Sequence, residues 1–246
     1  MEKNEPADCG SAHRDSEWFV PKFGPPSFRS LVGLLFLPYT GMVLSFSVIG
    51  SVLAKHLYFD RVVAIAVIYF LGLGIGAHAL DAVGSKGVKP WGKVLTRGQL
   101  WLTAILALVA AYLIAAYYII HYVPLLASVA LCEGFFVLAY NLEWFRGRFH
   151  KDRWFAFSWG FLPVLAGYMM QTNKITIESV MVAVSTSLFS LVEIKASRPY
   201  RDLRRRSERL GEEEKSLVMR YEAILKGISL GTILLGAGLL IWRVVG

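Results

Sequence analysis

The sequence contains only two cysteines, Cys9 in a polar stretch and Cys132 in an apolar one. Two cysteines placed in this way give no disulfide framework. Charged residues are also few, because Asp, Glu, Lys and Arg make up 18% of the chain, against about 25% in ordinary soluble domains. The mean hydropathy is +0.50. This composition excludes an ordinary soluble domain and favours a protein with several membrane spans.

The first 29 residues lack the apolar core of a secretory signal peptide. We therefore expect the first apolar run to act as the insertion signal and to remain in the protein. The segment SEWFVPKFGPPSFRS, which begins at Ser16, mixes aromatic and basic residues with prolines. Aromatic side chains anchor well at membrane–water interfaces, so this segment is predicted to lie along the interface.

Long apolar runs dominate the remainder of the chain. A helix that crosses a membrane needs about 20 consecutive apolar residues. Seven runs approach or exceed this length: 30–54, 62–83, 100–120, 123–143, 154–172, 175–194 and 224–242. One such run can be a buried helix of a soluble protein, but seven in series predict an all-α, polytopic transmembrane helix bundle of about seven spans.

Basic residues are distributed unevenly between these runs. The successive polar segments, from the N-terminal tail onward, contain 4, 2, 4, 0, 4, 1, 9 and 1 Lys or Arg residues. Because cytoplasmic loops carry the excess of Lys and Arg, this alternation predicts a cytoplasmic N-terminus and a C-terminus outside. The net charge of +8 is then a consequence of topology, so we expect no nucleic-acid partner. The predicted location is the plasma membrane, as a multi-pass protein of a prokaryotic inner membrane.

The sequence divides into a cytoplasmic tail with the interfacial segment, residues 1–29, and a transmembrane helical domain, residues 30–246. The domain includes a basic cytoplasmic loop, residues 195–222. Two short helices are predicted in that loop, with a break at Gly211, because the acidic residues that follow favour a helix N-terminus. The arginines of this loop suit either anionic lipid headgroups or a substrate phosphate.

Ionisable residues lie inside or at the ends of several runs. His78 and Asp81 share one helical face near the end of the second run, where they either cap the helix or form a ligand or acid–base pair at a cavity rim. Glu133 begins a helical stripe in the fourth run that continues through Phe136, Tyr140 and Glu143. A charge at Glu133 is costly unless it is paired, protonated or facing water. Ser179, Thr186, Ser190 and Glu193 form a similar stripe in the sixth run. We expect these polar groups to share one cavity.

The loop after the fourth run contains an H-x-D pair, His150 and Asp152, among several basic residues. Carboxylates with histidine can hold a divalent metal, and arginine can hold phosphate oxygens. The spacing matches no strict metal-binding motif, and the alternative is an ordinary basic loop.

The layout resembles the UbiA-type intramembrane prenyltransferases, in which loops 2–3 and 6–7 carry aspartate-rich motifs that hold Mg²⁺ and an isoprenyl diphosphate. The stretch GAHALDAVGSKGVKPWGKVLTRGQL is similar to the first motif, with Asp81 at an acidic position, His78 in place of an aspartate and Lys89 in a basic–proline pair. The stretch YNLEWFRGRFHKDRW resembles the tyrosine-led loop of the quinone-pathway branch. In the second motif this chain offers only Glu193 and Asp202, and the family has nine spans where seven are predicted here.

The resemblance implies transfer of an isoprenyl group from a prenyl diphosphate to a lipophilic acceptor, with Mg²⁺ as cofactor and a membrane lipid or isoprenoid as substrate. The implied catalytic residues are His78, Asp81, Tyr140, Asn141 and Glu143. Metal ligands would come from Asp81, Glu143, His150 and Asp152. Substrate phosphates would be held by Lys89, Arg146, Arg148, Arg198 and Arg201.

Two other functions stay open from the sequence. The two motifs contain fewer acidic residues than the family pattern. This favours a non-catalytic relative that binds a lipid, a quinone or a partner protein in the same cavity. A small proton-coupled transporter that uses Glu133 as its proton site is the third hypothesis.

Overall fold

The computed structural model describes residues 17–84, 95–204, 206 and 210–246. Every regular element among these residues is a helix, and two of the helical segments have π rather than α geometry. The elements are α1 (Pro26–Leu35), α2 (Leu37–Val52), α3 (Phe59–Tyr69), π1 (Phe70–Ala77), α4 (His78–Gly84), α5 (Arg97–His121), α6 (Leu126–Asn141), α7 (Trp144–Gly147), α8 (Asp152–Ala156), π2 (Phe157–Phe161), α9 (Leu162–Thr172), α10 (Ile177–Arg204) and α11 (Glu212–Val245).

Five helical stretches are long and apolar enough to cross a membrane. They are Pro26–Val52, Phe59–Gly84, Arg97–His121, Ile177–Arg204 and Glu212–Val245. The predicted helical bundle is therefore confirmed. The fourth predicted span is the shorter apolar helix Leu126–Asn141, and the fifth, residues 152–172, is helical but falls outside the set of five.

The first span bends sharply at Phe36. This residue separates α1 from α2 and has a left-handed backbone, with φ 44° and ψ 50°. The hydroxyl of Thr40 donates a 2.6 Å hydrogen bond to the carbonyl of Leu35 and so satisfies one acceptor that the bend would otherwise expose. The bend turns the Phe36 ring toward α4.

The second and fifth predicted spans each contain a π segment in place of regular α-helix. π1 includes Gly72, Gly74 and Gly76, and glycine is a weak α-helix former. π2 covers Phe157–Phe161 and precedes α9. Short π segments inside α-helices are frequent at functional sites, and both of these lead into the cavity described below.

Helices α2 and α9 are in direct backbone contact. A Cβ atom added to Gly167 would lie 1.9 Å from the carbonyl oxygen of Ser47, and one added to Gly50 would lie 2.0 Å from that of Val164. The hydroxyl of Ser51 crosses the same interface, at 3.2 Å from the Gly167 carbonyl oxygen. Small residues that permit such close approach are the usual means of packing helices in membranes, where lipid removes most of the hydrophobic driving force.

The loop 195–222 is not a separate pair of short helices, as the sequence predicted. α10 runs without a break through Pro199 to Arg204, and α11 starts at Glu212 and continues into the last span. Gly211 does mark the boundary, since its N–H donates to the carboxylate of Glu214 at 3.1 Å. Helices already anchored in the bundle propagate into polar sequence at little additional cost, because nucleation is the expensive step.

The described part of the N-terminal segment packs on the bundle. The Phe19 ring lies 5.3 Å from that of Phe36 and 5.8 Å from that of Tyr39, and Val20 is buried. The aromatic residues that predicted an interfacial segment are thus used partly for contacts with α2.

Replacing Gly167 by alanine should lower the free energy of unfolding by about 1–3 kcal/mol, because the added methyl group meets the α2 backbone. Gly231→Ala is the matched control, since nothing lies within 4 Å of a Cβ at that position of α11. Unfolding of purified protein in detergent, followed by circular dichroism, measures both. Equal stability of the two variants would contradict the packing described here.

Candidate functional site

A mixed polar and apolar cavity of about 440 Å³, hereafter the polar cavity, lies where α4, α6 and the following loop meet α10. Its polar lining comes from three parts of the chain that are distant in sequence. The lining residues are Phe36, Tyr39, His78, Asp81, Gly84, Tyr140, Asn141, Glu143, His150, Phe155, Trp159, Glu193, Ile194, Ser197, Arg198, Arg201 and Asp202.

Helix α4 places His78 and Asp81 on the cavity wall, three residues apart. The His78 Nδ1 atom lies 2.9 Å from the carbonyl oxygen of Gly74 in π1. Because a carbonyl only accepts, Nδ1 carries a proton in this arrangement. The imidazole stacks on Phe36 at 4.8 Å between ring centroids, and Trp159 lies 5.3 Å away on another side. His78 is thus fixed in orientation by one hydrogen bond and two aromatic rings.

Helix α10 supplies the basic side of the cavity. Glu193, Ser197 and Arg201 follow one another at intervals of four residues and share a helical face. The Arg201 Nε donates to the Ser197 carbonyl oxygen at 3.3 Å. Glu193 is only 4% exposed.

Arg198 uses one guanidinium nitrogen in an ion pair and has a second, buried nitrogen that can donate a hydrogen bond. Its Nη1 atom pairs with Asp152 at 3.1 Å. Its Nη2 atom is buried and makes no hydrogen bond of good geometry among the described residues, although the guanidinium interacts with the Tyr140 hydroxyl. A buried guanidinium donor without a good hydrogen bond is costly, and an anionic oxygen is the group that would satisfy it best.

The end of α6 and the loop that follows form the third side. The Tyr140 ring stacks on His150 at 4.4 Å, and the His150 Nδ1 lies 3.0 Å from the Tyr140 carbonyl oxygen. The Asn141 side chain donates to the Val137 carbonyl at 2.8 Å. Gly84 of α4 lies close enough that a Cβ there would be 2.2 Å from the Asn141 carbonyl oxygen. This contact holds the acidic end of α4 against α6.

The polar cavity is lined by eight of the twelve residues predicted as catalytic, metal-binding or substrate-binding. They are His78, Asp81, Tyr140, Asn141, Glu143, His150, Arg198 and Arg201.

Three other predicted site residues do not line the cavity. Asp152 contacts it only through its pair with Arg198. Arg146 and Arg148 are exposed and outside the lining, and the backbone at Phe145 and Arg146 is left-handed. These two arginines therefore do not line this cavity, and a phosphate-holding role for them stays a prediction. Lys89 lies outside the described residues.

The predicted metal ligands do not form a complete protein site. Within the described ranges, no three His, Cys, Asp or Glu residues group closely enough to hold a metal ion, and Asp152 is engaged with Arg198. Mg²⁺ is often held by one or two carboxylates together with substrate phosphates and waters. Asp81 and Glu143, which both line the cavity, fit that reduced role.

Several lining residues were missing from the predicted site. Glu193 and Asp202 were recognisable as the only acids near the second family motif, and Glu193 ends the polar stripe of the sixth run. Tyr39 and Trp159 gave no signal, since an aromatic residue in an apolar run is ordinarily a packing residue.

Glu133 does not belong to the polar cavity, although the sequence predicted one shared cavity. It lines a separate apolar cavity beside α5. The hydroxyl of Thr186 instead donates to the Gly160 carbonyl at 2.8 Å and joins α10 to π2. Of the α10 stripe, Thr186 thus joins two helices, and only the last member, Glu193, lines the polar cavity.

Comparison with protein-family models, with curated proteins and with solved structures found no match for this chain. The chemistry of the polar cavity is therefore the basis for a functional proposal.

Glu143 holds a left-handed backbone, with φ 52°, beside the polar cavity. Glycine adopts this region freely, whereas a residue with a Cβ pays about 1–2 kcal/mol. Glu143→Gly should thus be more stable than Glu143→Ala by about 1 kcal/mol in detergent unfolding, with the carboxylate lost equally in both.

The same pair of substitutions at exposed Arg220, inside α11, serves as the control. There glycine should be the less stable of the two by about 1 kcal/mol, because it weakens a helix. The same order of stability at both positions would contradict the left-handed backbone at Glu143.

Proposed function

We propose that the chain crosses the membrane seven times, with its N-terminus in the cytoplasm and its C-terminus outside. The alternation of basic residues along the sequence supports this topology. It places the polar cavity at the cytoplasmic face, since Gly84, Asn141 and Asp202 lie next to basic segments.

We propose further that the protein is an intramembrane transferase. It moves an isoprenyl group from a prenyl diphosphate to a lipophilic acceptor. The observation that carries this proposal is the meeting, in one cavity, of residues from or directly beside loops 2–3, 4–5 and 6–7, including an arginine with a buried donor nitrogen.

Arg198 and Arg201 are the groups that would hold the diphosphate. Each guanidinium can donate several hydrogen bonds in a fixed fork to phosphate oxygens. In the reaction the bond between the prenyl carbon and the bridging oxygen breaks, and the electron pair leaves with the diphosphate. The acceptor forms the new bond, and a cavity carboxylate takes the proton that the acceptor loses. Stabilising the departing anion is the main contribution of the two arginines.

The charges of the lining explain why a metal would be needed. Four acidic side chains, Asp81, Glu143, Glu193 and Asp202, accompany two arginines. A diphosphate alone would meet net repulsion from ionised carboxylates at short range. Asp81 and Glu143 would hold Mg²⁺, which would supply positive charge to the leaving diphosphate.

The aromatic side of the cavity supports a second candidate, a non-catalytic protein that binds a quinone or a lipid. Phe36 stacks on His78 at 4.8 Å, and Phe155 stacks on Trp159 at 5.0 Å. Such rings accept a flat apolar headgroup without any diphosphate. The proton-coupled transporter hypothesis gains no comparable support, since Glu133 lines a different cavity.

Asp81→Asn should abolish turnover in purified protein supplied with Mg²⁺, a radiolabelled prenyl diphosphate and a lipophilic acceptor, because the metal ligand is lost. Arg201→Gln should weaken binding of the diphosphate about tenfold or more, as expected for a lost charge-assisted hydrogen bond. Exposed Arg148→Gln is the matched control and should behave as wild type.

Full activity of Asp81→Asn would refute the transferase proposal. If the wild type instead shows no turnover and is stabilised against heat by a quinone without Mg²⁺, the non-catalytic candidate is favoured.

The proposed topology predicts opposite labelling at two exposed loop positions. In a background with Cys9 and Cys132 replaced by serine and alanine, Lys174→Cys should react with a membrane-impermeant maleimide in intact cells. Arg148→Cys should react only after the cells are permeabilised. The reverse pattern would show that the orientation is inverted.

A further inference from the structure

A second cavity lies inside the bundle, between π1, α5 and α6. This apolar cavity has a volume of about 60 Å³ and shares no lining residue with the polar cavity. Its walls are mostly aliphatic, with contributions such as Leu73, Leu108 and Val137. Glu133, near the middle of α6, is its acidic member.

The Glu133 carboxyl is only half satisfied. The Tyr69 hydroxyl donates to its Oε1 atom at 2.9 Å. Its Oε2 atom is buried and has no hydrogen-bond partner among the described residues. The other hydroxyl of the wall, that of Tyr112, donates to the Ala130 carbonyl at 2.7 Å. A buried carboxyl oxygen without a partner costs free energy, so a ligand that completes its hydrogen bonding is stabilised there.

Water is a poor occupant of this cavity. The volume would hold about four to six molecules at roughly 10–15 Å³ each, but each ordered water needs two to four polar partners. The polar groups of the walls are few: the free Oε2 and the two tyrosine hydroxyls, which have already donated their protons and can only accept further hydrogen bonds. The occupant must therefore be apolar over most of its surface.

The volume of the cavity limits which apolar groups can occupy it. A cavity of about 150 Å³ is known to take a benzene ring, whereas this one has about 60 Å³. A narrow aliphatic chain end fits, and a ring does not. Tyr112, one wall residue, is 39% exposed, so the cavity borders the lipid-facing surface and the remainder of a chain can lie between the helices.

We propose that the apolar cavity binds the hydroxyl end of a long-chain aliphatic alcohol, with the hydroxyl on Glu133 Oε2. A hydroxyl donates to an ionised carboxylate and accepts from a protonated one, so it completes the bonding of Oε2 in either state. This site is independent of the proposed transferase function, because no wall residue is shared.

The test uses two photoreactive probes, a ten-carbon alcohol and the matching alkane, each carrying a diazirine on the chain. Purified protein in lipid nanodiscs is irradiated with each probe, and the labelled peptides are identified by mass spectrometry. In the wild type we expect the alcohol to label α5 and α6 about fivefold more than the alkane does, consistent with one net hydrogen bond. Unlabelled decanol should compete, and decane should not.

Two substitutions of Glu133 separate hydrogen bonding from packing. Glu133→Gln keeps a group that can donate and accept, and it should keep the preference for the alcohol. Glu133→Leu removes the hydrogen bond and should lose the preference, with helix content and elution volume unchanged. Equal labelling by both probes in the wild type, a preference that survives in Glu133→Leu, or a preference lost in Glu133→Gln would each overturn the proposal.

Discussion

The backbone contact between α2 and α9 is the constraint on which the rest of the structure depends. With Gly50 and Gly167 facing carbonyl groups of the opposite helix, neither helix can rotate or shift without a clash. The N-terminal end of α2 carries Phe36 and Tyr39, and the helix that ends as α9 carries Phe155 and Trp159. Fixing these two helices therefore fixes the aromatic half of the polar cavity, against which α4 and α10 bring the charged half.

The helices could be predicted from sequence because length and hydropathy determine them locally. All seven apolar runs coincide with helices. The bend at Phe36 and the two π segments could not be predicted, since each is a local departure that only contacts with neighbouring helices stabilise. The continuity of α10 into loop 195–222 was missed for a related reason. Polar sequence looks like a loop, yet a helix already nucleated in the bundle extends through it.

The site could be predicted in part, because helical spacing alone places His78 beside Asp81 and puts Glu193 at the end of a stripe. Spacing does not tell which helix faces which. For that reason Glu133 was assigned to the polar cavity, and the structure places it beside α5. Arg146 and Arg148 lie outside the lining, in a loop with left-handed backbone at Glu143, Phe145 and Arg146, which are residue types that do not predict such backbone. Charged residues show that a loop is polar, but they do not show which way their side chains point.

The pair between Arg198 and Asp152 has a consequence for anything that enters the polar cavity. Asp152 is a resident counter-ion, and an incoming anion that uses the same guanidinium nitrogen has to displace it. Both side chains are partly exposed, at 39% and 31%, so the ion pair is weak and replacing Asp152 by another anion costs little free energy. Asp152 stands at the first position of α8, directly after the loop that carries His150. Binding of an anion would thus free Asp152 and one end of that loop, and release of the anion would let the pair with Arg198 form again.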